Sequence, residues 1–201
     1  MISEQNKFIF IHTAKTGGNS MHFALKDHID DELHGTGSNL GAKNTKYNTY
    51  KHSNIRQYIE RIPPELYKDC FRFSTIRNPW DRCISFYFSP HRGYPSRFDR
   101  NNFLRMLHSQ VFTFRTYVCV NQTPYETPLD SDMDYIMRFE SLQDDFDIVC
   151  GKIGLPKIKL PSMNKSRHTH YSHYYDDDLV DIVAAKYHEE IVYGGYTFER
   201  K

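Results

Sequence analysis

Phe8-Ile9-Phe10-Ile11-His12-Thr13-Ala14-Lys15-Thr16-Gly17-Gly18-Asn19-Ser20 decides how the chain begins to fold. Residues 7–12 are dense in Phe and Ile, the pattern of a buried parallel strand. A glycine pair follows. Met21, Ala24, Leu25 and Ile29 then recur at the spacing of one helix face. Strand, glycine turn and helix are the opening of an α/β fold.

The turn has the makings of an anion site. Gly17 and Gly18 let backbone N–H groups converge without Cβ interference. The helix after them points its positive end at the same place. Lys15 adds a mobile charge and Ser20 a hydroxyl. The lysine precedes the glycines, so the Gly-x-x-x-x-Gly-Lys-Ser/Thr loop of ATP-binding proteins does not match, and neither does Gly-x-Gly-x-x-Gly. The plain alternative is an ordinary strand–helix turn with an exposed lysine.

A second unit has the same layout. Residues 71–77 read as another buried strand, and Asn78-Pro79 starts a helix with Asn78 as N-cap and Pro79 at the first helical position. Arg77 falls at the strand end and Ser85 about two turns into the helix. A phosphate near the helix start could meet Arg77 bidentately, with Ser85 at its side. Alone, Arg77 is a strand-end surface residue and Ser85 a helix filler. Together with the first turn they suit a ligand carrying two phosphates.

The segment 15–20 resembles the 5′-phosphosulfate loop of sulfotransferases, with the carbohydrate sulfotransferases of the heparan and uronyl 2-O type nearest. Arg77 and Ser85, eight positions apart across Arg-Asn-Pro, are similar to that family's 3′-phosphate site. The His52 segment, Phe139-Glu140-Ser141-Leu142 and Tyr193-Gly194-Gly195-Tyr196-Thr197-Phe198 extend the resemblance over most of the chain. It implies a three-layer α/β fold of the P-loop-NTPase type with a central parallel sheet. It implies 3′-phosphoadenosine 5′-phosphosulfate (PAPS) as co-substrate and no metal. Lys15, Thr16, Gly17, Gly18, Asn19 and Ser20 would hold the 5′ end, and Arg77 and Ser85 the 3′-phosphate. Ser166 and Arg167 stand in a polar loop that, in the family, closes over the nucleotide. The acceptor would be a glycan or a small-molecule alcohol. The rival classes are a nucleotide kinase or NTPase and a non-catalytic module for 3′,5′-bisphosphonucleotides.

Sulfuryl transfer needs a base for the acceptor hydroxyl. His52 is the first candidate. Tyr50-Lys51-His52-Ser53 joins a short strand to a helix beginning near Asn54, which places His52 at a strand's C-terminal end, where open α/β sheets build their sites. It also resembles the His after the second strand of carbohydrate sulfotransferases. His12, closing the first strand, is the alternative. His168, His170 and His173 cluster without a carboxylate or Cys pattern to make them a metal site.

The rest of the chain sets bounds. At 201 residues it fits one domain over residues 1–201. A net charge of +1 gives no field for bulk nucleic-acid binding. No 18-residue apolar run suggests a membrane span, and the first apolar stretch is too short for a signal peptide. Cys70, Cys83, Cys119 and Cys150 are scattered, as reduced core thiols of a cytosolic protein are. Eukaryotic relatives of this type carry an N-terminal membrane anchor; none is expected here, and a bacterial-type, soluble, cytoplasmic enzyme is the expectation. Residues 35–48 read as a surface loop, residues 142–153 as a helix, and residues 177–191 as the last helix. The Tyr- and Arg-rich segment 87–100 is a candidate acceptor surface.

Overall fold

Ile9 and Ile11 pack to one side of the strand they share with Phe8 and Phe10, and those two phenylalanines pack to the other; all four are fully buried. The structure, a computed structural model, describes residues 1–35, 39–89, 93, 97–163 and 168–201. Its main sheet has the order β1 (Ile2–Ser3), β2 (Phe8–Ile11), β6 (Phe71–Ile76), β7 (Tyr135–Arg138). Strands β2, β6 and β7 run parallel, with Phe10 opposite Phe73 and Thr75 opposite Met137. The two-residue β1 runs antiparallel to β2, so the sheet is mixed, where the sequence predicted a parallel one. Two residues are too few to show a period.

Alternation along β2 builds a core on each face. Ile9 and Ile11 join Ile55 and Tyr58 of α2 (Ile55–Arg61), Leu66 of α3 (Pro64–Asp69) and Phe114 of α6 (Phe114–Val118). Phe8 and Phe10 join Met21 of α1 (Gly18–Ala24) and Phe146 and Val149 of α7 (Leu142–Lys152). Each fully buried side chain of this kind stabilises the fold by roughly 1.5–3 kcal/mol. The sheet is thus covered by helices on both faces. A third core lies between α4 (Pro79–Tyr87), α5 (Arg100–Ser109) and α8 (Asp177–Lys186), around Trp80, Phe103 and Leu179.

Within the predicted loop 35–48, the described residues 39–48 hold more order than their composition suggests. Strands β3 (Glu32–His34), β4 (Gly41–Asn44) and β5 (Thr49–Tyr50) form a small antiparallel sheet. Ala42 and Asn44 are buried and alternate with half-buried Gly41 and Lys43, a period too brief to stand out among polar residues. The strand before His52 therefore belongs to this meander and not to the main sheet. Asn54 caps α2 through a capping box with Gln57. Pro64 sits in the first turn of α3. The predicted last helix breaks at Tyr187 into α8 and α9 (His188–Gly194), and Gly195 ends α9 with φ 60°.

Candidate active site

The C-terminal ends of β2 and β6 lie side by side, because Ile11 pairs with Ser74 and the strands run parallel. The turn after β2 is pinned to the neighbouring strand by Thr13, whose hydroxyl donates to the Thr75 carbonyl at 2.7 Å. Thr16 donates to the Thr13 carbonyl at 2.9 Å, and both threonines are fully buried. Their hydroxyl protons are committed within the protein, so Thr16 can serve a ligand only through its backbone amide. Lys15 has φ 68°, a left-handed conformation sparsely populated by non-glycine residues. That conformation accompanies a carbonyl that accepts a hydrogen bond from Arg77 Nη1 at 2.8 Å. The Lys15 ammonium reaches the hydroxyl of buried Ser89 at 3.3 Å.

Gly17 and Gly18 are glycines for steric reasons. Gly17 is left-handed (φ 84°), and a Cβ there would stand 2.6 Å from Leu142 Cδ2 and 3.5 Å from the Phe139 ring. A Cβ at Gly18 would stand 2.0 Å from His12 Nε2. The Phe139–Leu142 join thus closes over the loop, a packing role visible beforehand only as a family likeness. Asn19 is half-buried and Ser20 is 7% exposed in the first turn of α1.

Arg77 is 8% exposed and its guanidinium lies 3.9 Å from the Phe139 ring centre. Nε and Nη2 both donate to Asp81 Oδ2, at 2.9 and 2.6 Å. With Nη1 on Lys15, three of its five N–H groups are used within the protein, which leaves two for a ligand. The start of α4 is also occupied: Asn78 Oδ1 accepts from the amides of Trp80 and Asp81, and Glu140 Oε1 accepts from the Asn78 amide at 2.8 Å. A phosphate here would rest on the guanidinium and not on the helix end. Ser85 is buried in α4. Asp81, Ser89, Phe139 and Glu140 were not singled out from the sequence as site residues. The i, i+4 spacing of Arg77 and Asp81 on a helix start was the available signal.

His52 is exposed, and its Nδ1 lies 3.0 Å from the backbone carbonyl oxygen of His12. A carbonyl oxygen only accepts, so Nδ1 carries the hydrogen and the neutral ring keeps its lone pair on Nε2. The His12 ring centre is 4.5 Å from that of His52 and 5.2 Å from that of His22. His12 itself is 4% exposed and its Nδ1 is buried without a hydrogen-bond partner. Burial, followed by the nearby His52 and His22, pushes its imidazole well below the usual 6.5. His12 is thus enclosed, whereas His52 is exposed. Burial pushes His22 down to about 3, while its Nδ1–H donates to the Gly18 carbonyl at 2.9 Å.

Ser166 and Arg167 lie outside the described residues, as does most of the 90–96 stretch of the candidate acceptor surface. His168, His170 and His173 bond separately to the Thr169 carbonyl, the Ser172 hydroxyl and the Lys201 carbonyl. Among the described residues no group of three or more His, Cys, Asp or Glu could hold a metal ion, and no helix is long and apolar enough to cross a membrane.

The sequence matches the model of the sulfotransferase family over residues 1–197. It is 32% identical over 100 residues to an uncharacterized protein of Archaeoglobus fulgidus, a match that covers 48% of this chain and 78% of that protein. No solved structure matches. With the Lys15 turn and the Arg77 strand end joined side by side, and the family match running almost the whole length, the chain belongs to the sulfotransferase family.

Proposed function

We propose that the chain moves a sulfuryl group from PAPS to a hydroxyl of an acceptor, with a carbohydrate as the favoured acceptor class. The observation that carries this reading is the direct bond between the two anion-binding elements, Arg77 Nη1 to the Lys15 carbonyl, on neighbouring parallel strands. The donor set fits a ligand with phosphates at both ends: Lys15, Ser20 and the loop amides for one, the remaining Arg77 N–H groups and Ser85 for the other. PAPS supplies an activated sulfuryl group whose bond to the 5′-phosphate oxygen breaks as the acceptor oxygen bonds to sulfur. Lys15 holds the negative charge that gathers on that bridging oxygen. His52 takes the acceptor proton on Nε2, its tautomer fixed by the His12 carbonyl.

The test is a thermal-shift comparison of adenosine 3′,5′-bisphosphate, PAPS and ATP with magnesium, followed by [³⁵S]PAPS turnover on an acceptor array. Selective stabilisation by the bisphosphate and PAPS, with label transferred to a glycan hydroxyl, is the expected result. Stabilisation by ATP–magnesium alone would replace this reading with a kinase or NTPase. Bisphosphate binding without transfer to any acceptor would leave a binding module.

A further inference from the structure

We infer that His12 is a positioning residue that ties the base His52 to the phosphate loop, an inference that rests on the sulfuryl-transfer reading above. Three contacts of this one residue carry it. Its carbonyl oxygen accepts the Nδ1–H of His52 at 3.0 Å. Its ring stands against the His52 ring, with centres 4.5 Å apart. Its ring also fills the space over Gly18, where a Cβ would come within 2.0 Å of Nε2, 2.1 Å of Cδ2 and 2.5 Å of Cε1.

The ring is held from behind as well. Phe10 stacks on it at 5.8 Å between centres and 23° between planes, and His22 packs at 5.2 Å. His22 in turn bonds the Gly18 carbonyl at 2.9 Å. Gly18 is therefore gripped by two imidazoles, one of which also supports His52. In a close-packed interior such a ring cannot shift alone. A displacement of the loop at Gly18 is passed to the base, and a displacement of the base to the loop. Support of this kind holds reacting groups within the fraction of an ångström that group transfer demands. Glycine at position 18 is then required by the His12 ring and not by the turn conformation, since its φ is not left-handed.

The experiment is a cycle read by calorimetric titration with adenosine 3′,5′-bisphosphate and by ¹⁵N NMR of the His52 imidazole, neither of which needs the acceptor. Gly18→Ala should weaken bisphosphate binding roughly tenfold or more, because the added methyl meets a packed ring. Adding His12→Ala to Gly18→Ala should restore affinity to that of His12→Ala alone. In His12→Ala the His52 signals should lose the pure Nδ1–H pattern as the ring gains freedom. His12→Phe, which keeps a ring but no nitrogen, should preserve both the affinity and that pattern. Equal impairment of Gly18→Ala with and without His12→Ala overturns the inference, as do His52 signals that ignore the loss of the His12 ring. If the unmodified chain fails to bind the bisphosphate at all, the sulfuryl-transfer reading falls first. The His52 spectra still report then whether His12 holds that ring.

Discussion

Arg77 donates from Nη1 to the carbonyl oxygen of Lys15 at 2.8 Å, across 62 residues of sequence. The bond makes one structure of two loops. A left-handed lysine costs of order 1–3 kcal/mol and persists only where its surroundings enforce it. Here Thr13 pins the loop to β6 and Arg77 holds the carbonyl of Lys15. The lysine that would meet one phosphate is thus set by the arginine that would meet the other.

Arg77→Ala should therefore do two things. It removes the proposed partner of the 3′-phosphate and releases the Lys15 carbonyl. Affinity for adenosine 3′,5′-bisphosphate should fall more than affinity for adenosine 5′-phosphosulfate, which lacks the 3′-phosphate. Arg77→Lys should rescue little, since a single ammonium cannot reproduce the fork on Asp81 together with the bond to Lys15. Titration of each variant with both nucleotides is the check, and an equal loss for the two would remove the 3′-phosphate role.

Lys15→Ala should lower turnover by about two to three orders of magnitude, the usual effect of removing one donor to a developing charge. Bisphosphate affinity should change far less, because the loop amides remain. Alanine carries the same left-handed backbone cost as lysine, so the variant isolates the ammonium. Single-turnover rates beside nucleotide titrations measure the split; a loss confined to affinity would assign Lys15 to ground-state binding.

Much of this arrangement was legible in the residues. Strands β2 and β6 show as dense apolar runs, and the Asn78-Pro79 start of α4 shows in its capping chemistry. What escaped was set by contacts between distant segments. The meander β3–β5 is short, polar and half-wet, so its period does not rise above a loop's. His52 was singled out as the end of a main-sheet strand. It stands beside the loop because its own Nδ1–H reaches the His12 carbonyl, a contact no local pattern announces. The break at Tyr187 is likewise tertiary: its hydroxyl bonds the Val111 carbonyl at 2.8 Å. The sequence offers Arg77 to a phosphate, and its i, i+4 spacing to Asp81 is the one hint of the carboxylate that holds it.

Acid should unfold the chain partly through its inner histidines. Burial holds His22 at about 3 in the fold against 6.5 when unfolded, and pushes His12 down as well. Below pH 6.5 the unfolded chain binds these protons and the folded chain does not. Their contribution is full above pH 6.5 and is lost as pH falls toward the folded values, at roughly 1.4 kcal/mol per pH unit for each proton. Urea unfolding between pH 4.5 and 7 should show this slope, and His22→Phe should flatten it. An unchanged slope in that variant would place the acid sensitivity elsewhere.

Arg82 and Glu190 are each 2% exposed and lie 3.4 Å apart as an ion pair, without the geometry of a hydrogen bond between them. Arg82 also donates to the Phe112 carbonyl, and Glu190 accepts from the Phe114 amide at 2.7 Å. Removing one partner strands a buried charge. Glu190→Ala should cost about 3–5 kcal/mol, whereas Arg82→Met with Glu190→Leu should cost much less. Denaturant midpoints of the three proteins decide it; a double variant as unstable as the single one would mean that the hydrogen bonds to Phe112 and Phe114 dominate.

His52→Ala is the sharpest test of the reaction. His52 is exposed, its Nδ1–H is fixed on the His12 carbonyl, and its lone pair is on Nε2. A base must be neutral to act, so the rate should rise with pH as His52 loses its proton and then level off. Loss of the imidazole should lower turnover by roughly two to four orders of magnitude and abolish that rise. Adenosine 3′,5′-bisphosphate should bind almost as before, because the groups proposed to hold it are those of Lys15, Ser20, Arg77 and Ser85. His52→Asn offers a finer comparison. It can keep a donor toward the His12 carbonyl but cannot take a proton, so it should be as slow as His52→Ala while preserving the local structure. An Asn variant with near-normal turnover would show that His52 only positions its neighbours, and that the acceptor hydroxyl loses its proton to solvent.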